Sequence, residues 1–205
     1  MINLLRHSLL VKVALMACWI PVAAAIVNFE FHESAPGAAL HSSGHIWPKF
    51  TTLSRSDVKP TLVLFIHPQC PCTGSSIENL DRLVSASPGS CDVTLVFLQP
   101  SGFALDWVKK DLWVEAQRIP GARFFVDEEG KECRRFGALT SGTAILFDPD
   151  GNEVFCGGIT SERGHAGDSL ATVAIQGYLQ TGKISIHTAP VFGCALFTES
   201  SVGGK

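Results

Sequence analysis

The chain has 205 residues, 46% of them apolar and 17% charged, with a formal net charge of −3. That length suits one domain with an extension and is enough to bury a proper core. The apolar content excludes a disordered chain, the mild acidity argues against a nucleic-acid partner, and 7 cysteines are too few for a disulfide-packed miniprotein.

The N-terminus bears on compartment. Residues 9–27 are apolar except for Lys12, and residues 13–27 carry no charge. Arg6, His7 and Lys12 precede this stretch, and the next charges, Glu30 and Glu33, are acidic. Basic before and acidic after predicts an N-terminus kept in the cytoplasm with the remainder exported. A spanning helix needs about 20 apolar residues and a signal-peptide core about 7–15, so the length lies between the two. Residues 1–27 are therefore either a single-pass membrane anchor or a signal segment cleaved near Ala23-Ala24-Ala25. In both cases the rest works on the extracytoplasmic (periplasmic) side or is secreted, where disulfides persist. Residues 28–60 mix His, Ser, Pro and Gly without a period. They read as a spacer, with Ile46-Trp47-Pro48 docking onto the domain.

The domain proper is expected over residues 61–205. TLVLFI (61–66) is a continuous apolar run, the pattern of a strand covered on both faces. Ile77, Leu80, Leu83 and Val84 then recur at helical spacing until Pro88-Gly89. VTLVFL (93–98) is a second strand, and a helix containing Trp107 and residues 112–116 runs to Pro120-Gly121. ARFFVD (122–127) is a third strand, and residues 128–136 form a short charged helix. TAILFD (143–148) and EVFCGGI (153–159), joined by Pro149-Asp150-Gly151-Asn152, predict an antiparallel hairpin. Leu170, Val173, Ala174 and Tyr178 mark a last helix ending near Gly182, with Asp168 a candidate N-cap. The order β-α-β-α-β-α-β-β-α is that of a thioredoxin-like α/β fold, a mixed central sheet flanked by helices.

Chemistry concentrates in His67-Pro68-Gln69-Cys70-Pro71-Cys72, where a buried strand hands over to a helix. A thiolate is the reactive form of cysteine, and the positive end of a helix favours it. Pro71 suits a first helical position, which would put Cys70 at the cap. Ser75-Ser76-Ile77-Glu78 is a competing capping box that would start the helix later and leave both cysteines in the loop. The usual redox motif has two residues between its cysteines; here Thr73 stands where the second would lie. Whether Cys72 resolves Cys70 is therefore open. Two unrelated buried cysteines are the alternative, but a Pro between two Cys after His-Pro is hard to produce by packing alone.

HPQCPCTGSSIENL, IPGARFFVDEEGKECRRFGALTSGTAILFDPDGNEVFCGGITSERGHAGD and TAPVFGCALF together resemble the membrane-anchored RedB-type thioredoxin-like proteins of bacteria, over about residues 45–197. The resemblance implies a thioredoxin fold, an N-terminal anchor and a thiol redox role. More distantly, the strand followed by DPDG resembles the membrane-tethered thioredoxins of cytochrome c maturation. Those carry a Thr-Pro before the strand, where this sequence has Ser141-Gly142-Thr143.

The remaining candidates surround the pair. The loop Ser141-Gly142-Thr143 is expected against the cysteines, with Gly142 letting the backbone approach the sulfurs and a hydroxyl of Ser141 or Thr143 donating to a thiolate. Arg163 and His165, in a glycine-rich loop, could lower a thiol pKa; the alternative is a capped turn. His67 and Thr73 line the site. Cys194 is a further thiol, either redox-active, structural or simply buried. Cys91, Cys133 and Cys156 sit beside core elements, and Cys133 with Cys156 could form a structural disulfide. The reading is an exported, membrane-tethered thiol–disulfide oxidoreductase in which Cys70 attacks and Cys72 or another thiol resolves. It needs no cofactor, no resident metal and no nucleic acid; its substrate is a protein thiol or disulfide, with a separate reductant or oxidant. The alternatives are a copper-handling protein using Cys70, Cys72 and His67 or His165, and a thiol peroxidase.

Overall fold

The computed structural model describes residues 12, 15–28, 35–38 and 46–197. It divides into two compact units, Met1–Ala35 and Pro36–Lys205. In the first, residues 15–28 form a helix (α1) whose side chains are exposed. Much of the expected anchor lies outside the described residues, and among the described ones no helix is long and apolar enough to cross a membrane.

The second unit is built on a six-stranded sheet of order β3-β2-β1-β4-β5-β6. At its centre is β1 (Thr61–Ile66), every residue of which is buried. It pairs in parallel with β2 (Asp92–Gln99) and antiparallel with β4 (Thr143–Phe147). β3 (Arg123–Glu128) extends the parallel side. β5 (Glu153–Gly158) completes the hairpin, and β6 (Thr188–Ala189) adds a short parallel edge. Three parallel strands meeting an antiparallel hairpin at β1 make the fold thioredoxin-like, as the element order predicts.

Alternation along β1 assigns its two faces. Leu62, Leu64 and Ile66 join one core with Ile77, Leu80, Leu83 and Val84 of α2 (Thr73–Ala86) and Ala171 and Ile175 of α6 (Leu170–Thr181). Val63 and Phe65 join a second core with Cys133 of α5 (Lys131–Arg135) and with Phe136, Ile145 and Phe147. The helix expected around Trp107 is two pieces, α3 (Leu105–Val108) and α4 (Asp111–Ala116), because Lys110 is extended between them.

Three local expectations change. Trp47 docks onto the domain as expected, but the packing continues through Leu53 instead of leaving the following residues as spacer. Trp47 packs edge-on against Phe136 at 5.2 Å and Phe147 at 4.9 Å, Leu53 lies in the second core, and Thr51 and Thr52 bond the buried carboxylate of Glu132. The N-cap of α6 is Ser169 rather than Asp168, in a reciprocal capping box with Thr172. Beyond α6, where no element is expected, the chain returns as β6 and then as an extended strap over residues 191–196, whose Leu196 is buried in the second core. Thr140 and Ala195 form an antiparallel bridge.

Candidate active site

The Cys-Pro-Cys step leaves the C-terminal end of β1 as two overlapping tight turns. The Cys70 amide donates to the His67 carbonyl at 3.0 Å, and the Thr73 amide to the Cys70 carbonyl at 3.1 Å. α2 therefore starts at Thr73 with Cys72 as its N-cap. Neither expected start is used: Pro71 precedes the helix, and residues 75–78 lie inside it. Cys70 faces inward and has no exposed surface. Cys72 is half-buried and Pro71 exposed.

Burial disfavours a Cys70 thiolate, but four donors converge on its sulfur: the Thr73 hydroxyl, the Cys194 thiol, the Cys194 backbone N–H at 3.3 Å and the Cys72 backbone N–H. Together they outweigh burial, and its pKa falls below the ordinary cysteine value. Elsewhere burial wins. Cys91 is pushed up to about 11 and Cys156 to about 12, and Cys133 is raised well above the ordinary value. These three stay neutral at physiological pH. All seven cysteines are free thiols, so Cys133 and Cys156, which could have paired, are not bonded in this structure.

The loop before β4 reaches the site differently from expectation. The Ser141 hydroxyl accepts from the His67 amide at 2.8 Å and lies 2.7 Å from the Thr73 hydroxyl. Since Thr73 donates to Cys70, Ser141 donates to Thr73, and the two form a relay ending on sulfur. Thr143 donates instead to the Thr140 carbonyl at 2.6 Å. Gly142 has φ 91°, and a Cβ there would meet Ser76 Oγ at 3.0 Å, so it permits close approach to α2 rather than to the sulfurs. Its amide donates to the Phe65 carbonyl at 2.8 Å.

His67 packs edge-on against Trp107 at 5.6 Å. Burial lowers its pKa, against a smaller opposing backbone hydrogen bond. Its Nδ1 accepts from the Gln69 amide at 3.2 Å, so a neutral ring carries its proton on Nε2. Arg163 reaches the site indirectly, donating to the Gly193 carbonyl at 2.9 Å beside Cys194. Its loop is tied to α2 by Asn79, which donates to the Ile159 carbonyl and accepts from the Gly167 amide. His165 is exposed, and among the described residues no hydrogen bond or ion pair joins it to the cysteines. Among the described residues no group of three or more His, Cys, Asp or Glu could hold a metal ion, so the copper reading finds no ligand set there.

What sequence reasoning missed is the role of the strap. Gly193 approaches so closely that a Cβ would lie 1.9 Å from the Ser141 carbonyl oxygen. The Ser141 amide donates to the Cys194 carbonyl at 2.8 Å, and the Leu196 amide to that of Leu139 at 2.8 Å. Cys194 is thereby held over Cys70. The Gly-Cys step was the available signal.

No family model matches the chain, and no curated protein matches it. Among solved structures it is similar to a hypothetical protein from Sinorhizobium meliloti 1021, at 17% identity and TM-score 0.58, over 81% of this chain and 99% of that one. It is also similar to an uncharacterized conserved protein from Geobacillus kaustophilus, at 17% identity and TM-score 0.57, over 80% of this chain and 93% of that one. These likenesses are of fold alone. A secreted Mycobacterium tuberculosis disulfide oxidoreductase homologous to E. coli DsbE aligns more loosely, at 12% identity and TM-score 0.43, over 61% of this chain and 82% of that one.

Proposed function

We propose that this chain is an exported, membrane-tethered thiol–disulfide oxidoreductase of the RedB type, acting on protein thiols or disulfides through Cys70 and the Cys-Pro-Cys turn. The observation that carries the reading is the set of four donors on the Cys70 sulfur, which stabilises a thiolate at the end of a buried strand. A stabilised thiolate serves disulfide exchange in both directions, as nucleophile and as leaving group. In the reducing direction, a bond forms between Cys70 and one sulfur of a partner disulfide, and the other partner sulfur leaves and takes a proton. A second thiol of the site then attacks the Cys70 sulfur and releases the partner's remaining thiolate. Two electrons have passed to the partner and the site is left as a disulfide. The same steps reversed oxidise a partner dithiol. Thr73, relayed by Ser141, acts on the sulfur directly; His67 and Trp107 line the approach. The tether rests on the uncharged run over residues 13–27 with its charge asymmetry.

The full chain in detergent should catalyse reduction of insulin disulfides by dithiothreitol, and Cys70→Ser should lower the rate at least tenfold. Equal rates in the two proteins would remove the reading. In spheroplasts the chain should sediment with membranes, and a membrane-impermeant maleimide should label Cys72 without lysis. Labelling only after lysis would refute export.

A further inference from the structure

Cys70 has no exposed surface in this structure. The two cysteines that contribute to its hydrogen bonding, Cys72 and Cys194, are both half-buried. They differ in where they sit. Cys72 is the N-cap of α2, two residues on from Cys70 and across the tight turn that precedes the helix. What Cys72 contributes to the Cys70 sulfur is its backbone N–H. Cys194 contributes its backbone N–H at 3.3 Å and also its thiol. The thiol that hydrogen-bonds the Cys70 sulfur is that of Cys194.

We propose that Cys194, rather than Cys72, closes a reversible disulfide with Cys70, and that the half-exposed Cys194 end of this bond is where a protein dithiol attacks. The proposal rests on Cys70 being the exchanging thiolate and changes which sulfur pairs with it. Closing a hydrogen-bonded sulfur pair to an S–S bond of about 2 Å asks the two side chains to rotate toward each other. The strap that presents Cys194 is held on three sides. Arg163 grips the Gly193 carbonyl, Gly193 lies against Ser141, and Leu196 is buried in the second core. A cysteine carried on a loose tail would not be so placed.

The donor set then acquires a direction. A partner thiolate forms a bond to the Cys194 sulfur; the Cys70–Cys194 bond breaks and its electron pair stays on Cys70. There the Thr73 hydroxyl and the backbone N–H groups of Cys72 and Cys194 receive the departing thiolate. The partner's second thiolate attacks its own sulfur in the mixed disulfide and releases Cys194, which takes up a proton. The partner dithiol is oxidised to a disulfide, and the Cys70–Cys194 pair is reduced by two electrons. A stabilised leaving thiolate makes a disulfide more oxidising. A small-molecule disulfide such as oxidised glutathione restores the bond, itself reduced to two thiols.

The test is peptide mapping of the full chain in detergent after oxidation with oxidised glutathione, alkylation of remaining thiols and trypsin digestion. Cys70 and Cys72 share the tryptic peptide 56–82, and Cys194 lies in 184–205. The expected product is a cross-link between the two peptides, persisting in Cys72→Ser and absent from Cys194→Ser and Cys194→Ala. With a reduced dithiol peptide as substrate, both Cys194 variants should lose at least tenfold in oxidation rate, while a circular-dichroism melt reports that they remain folded. If Cys194 is alkylated and the mass loss lies within peptide 56–82, the Cys-Pro-Cys pair is the disulfide and this proposal falls, although the exchange reading stands. If neither linkage forms and Cys70→Ser exchanges like the parent, the exchange reading falls as well.

Discussion

Replacing Thr73 by Val removes one donor from the Cys70 sulfur while keeping the shape of a fully buried side chain. A hydrogen bond to a charged group is worth roughly 1.5–3 kcal/mol. Sulfur is a weak acceptor, so the low end applies, and about 1.5 kcal/mol corresponds to about one pH unit. Thr73→Val should therefore raise the Cys70 pKa by about one unit, and Thr73→Ser should leave it unchanged. The assay is the pH profile of alkylation at Cys70, resolved from Cys72 by fragmenting their common peptide. A profile is needed because burial scales the absolute rate equally at every pH. Stability follows with a definite sign. A depressed thiol pKa adds stability above the unfolded value near 8.5, which is lost as pH falls through the folded pKa. Thr73→Val should lose up to about 1.5 kcal/mol of that contribution as pH rises above the variant's folded pKa, besides the cost of leaving the Ser141 hydroxyl without its acceptor. Coincident alkylation profiles for the Val and Ser variants would refute the relay from Ser141 through Thr73 to sulfur.

Two further outcomes test the frame around the site. Gly193→Ala drives a Cβ into the Ser141 carbonyl, so it should cost about 1–3 kcal/mol in a denaturant melt and speed alkylation of Cys70 by loosening the strap. Slower or unchanged alkylation would show that the strap does not cover Cys70. The burial-raised pKa of Cys91, about 11, means the unfolded chain loses that proton first as pH rises, so stability should fall between about pH 9 and 11. Cys91→Ala should flatten that fall by about 2 kcal/mol in melts across the window.

Much of this fold is legible locally. The β1 run and the 3.6-residue spacing of Ile77, Leu80 and Val84 identify a doubly covered strand and the helix after it, because hydrophobic period depends on neighbours a few residues apart. The same signals put Cys70 and Cys72 at a strand end. They say nothing about partners 124 positions away, which is the separation of Cys70 from Cys194. The stretches holding Trp47, Leu53 and Leu196 have no period, so only the curvature and edges of the finished sheet decide where those side chains bury. Residue type and loop position offered the hydroxyls of Ser141 and Thr143 as thiolate donors and passed over that of Thr73. Tertiary contacts assigned Thr143 to a carbonyl and Ser141 to Thr73, leaving Thr73 to reach sulfur. A hydroxyl has one proton to give, and the nearest acceptor in the folded chain receives it.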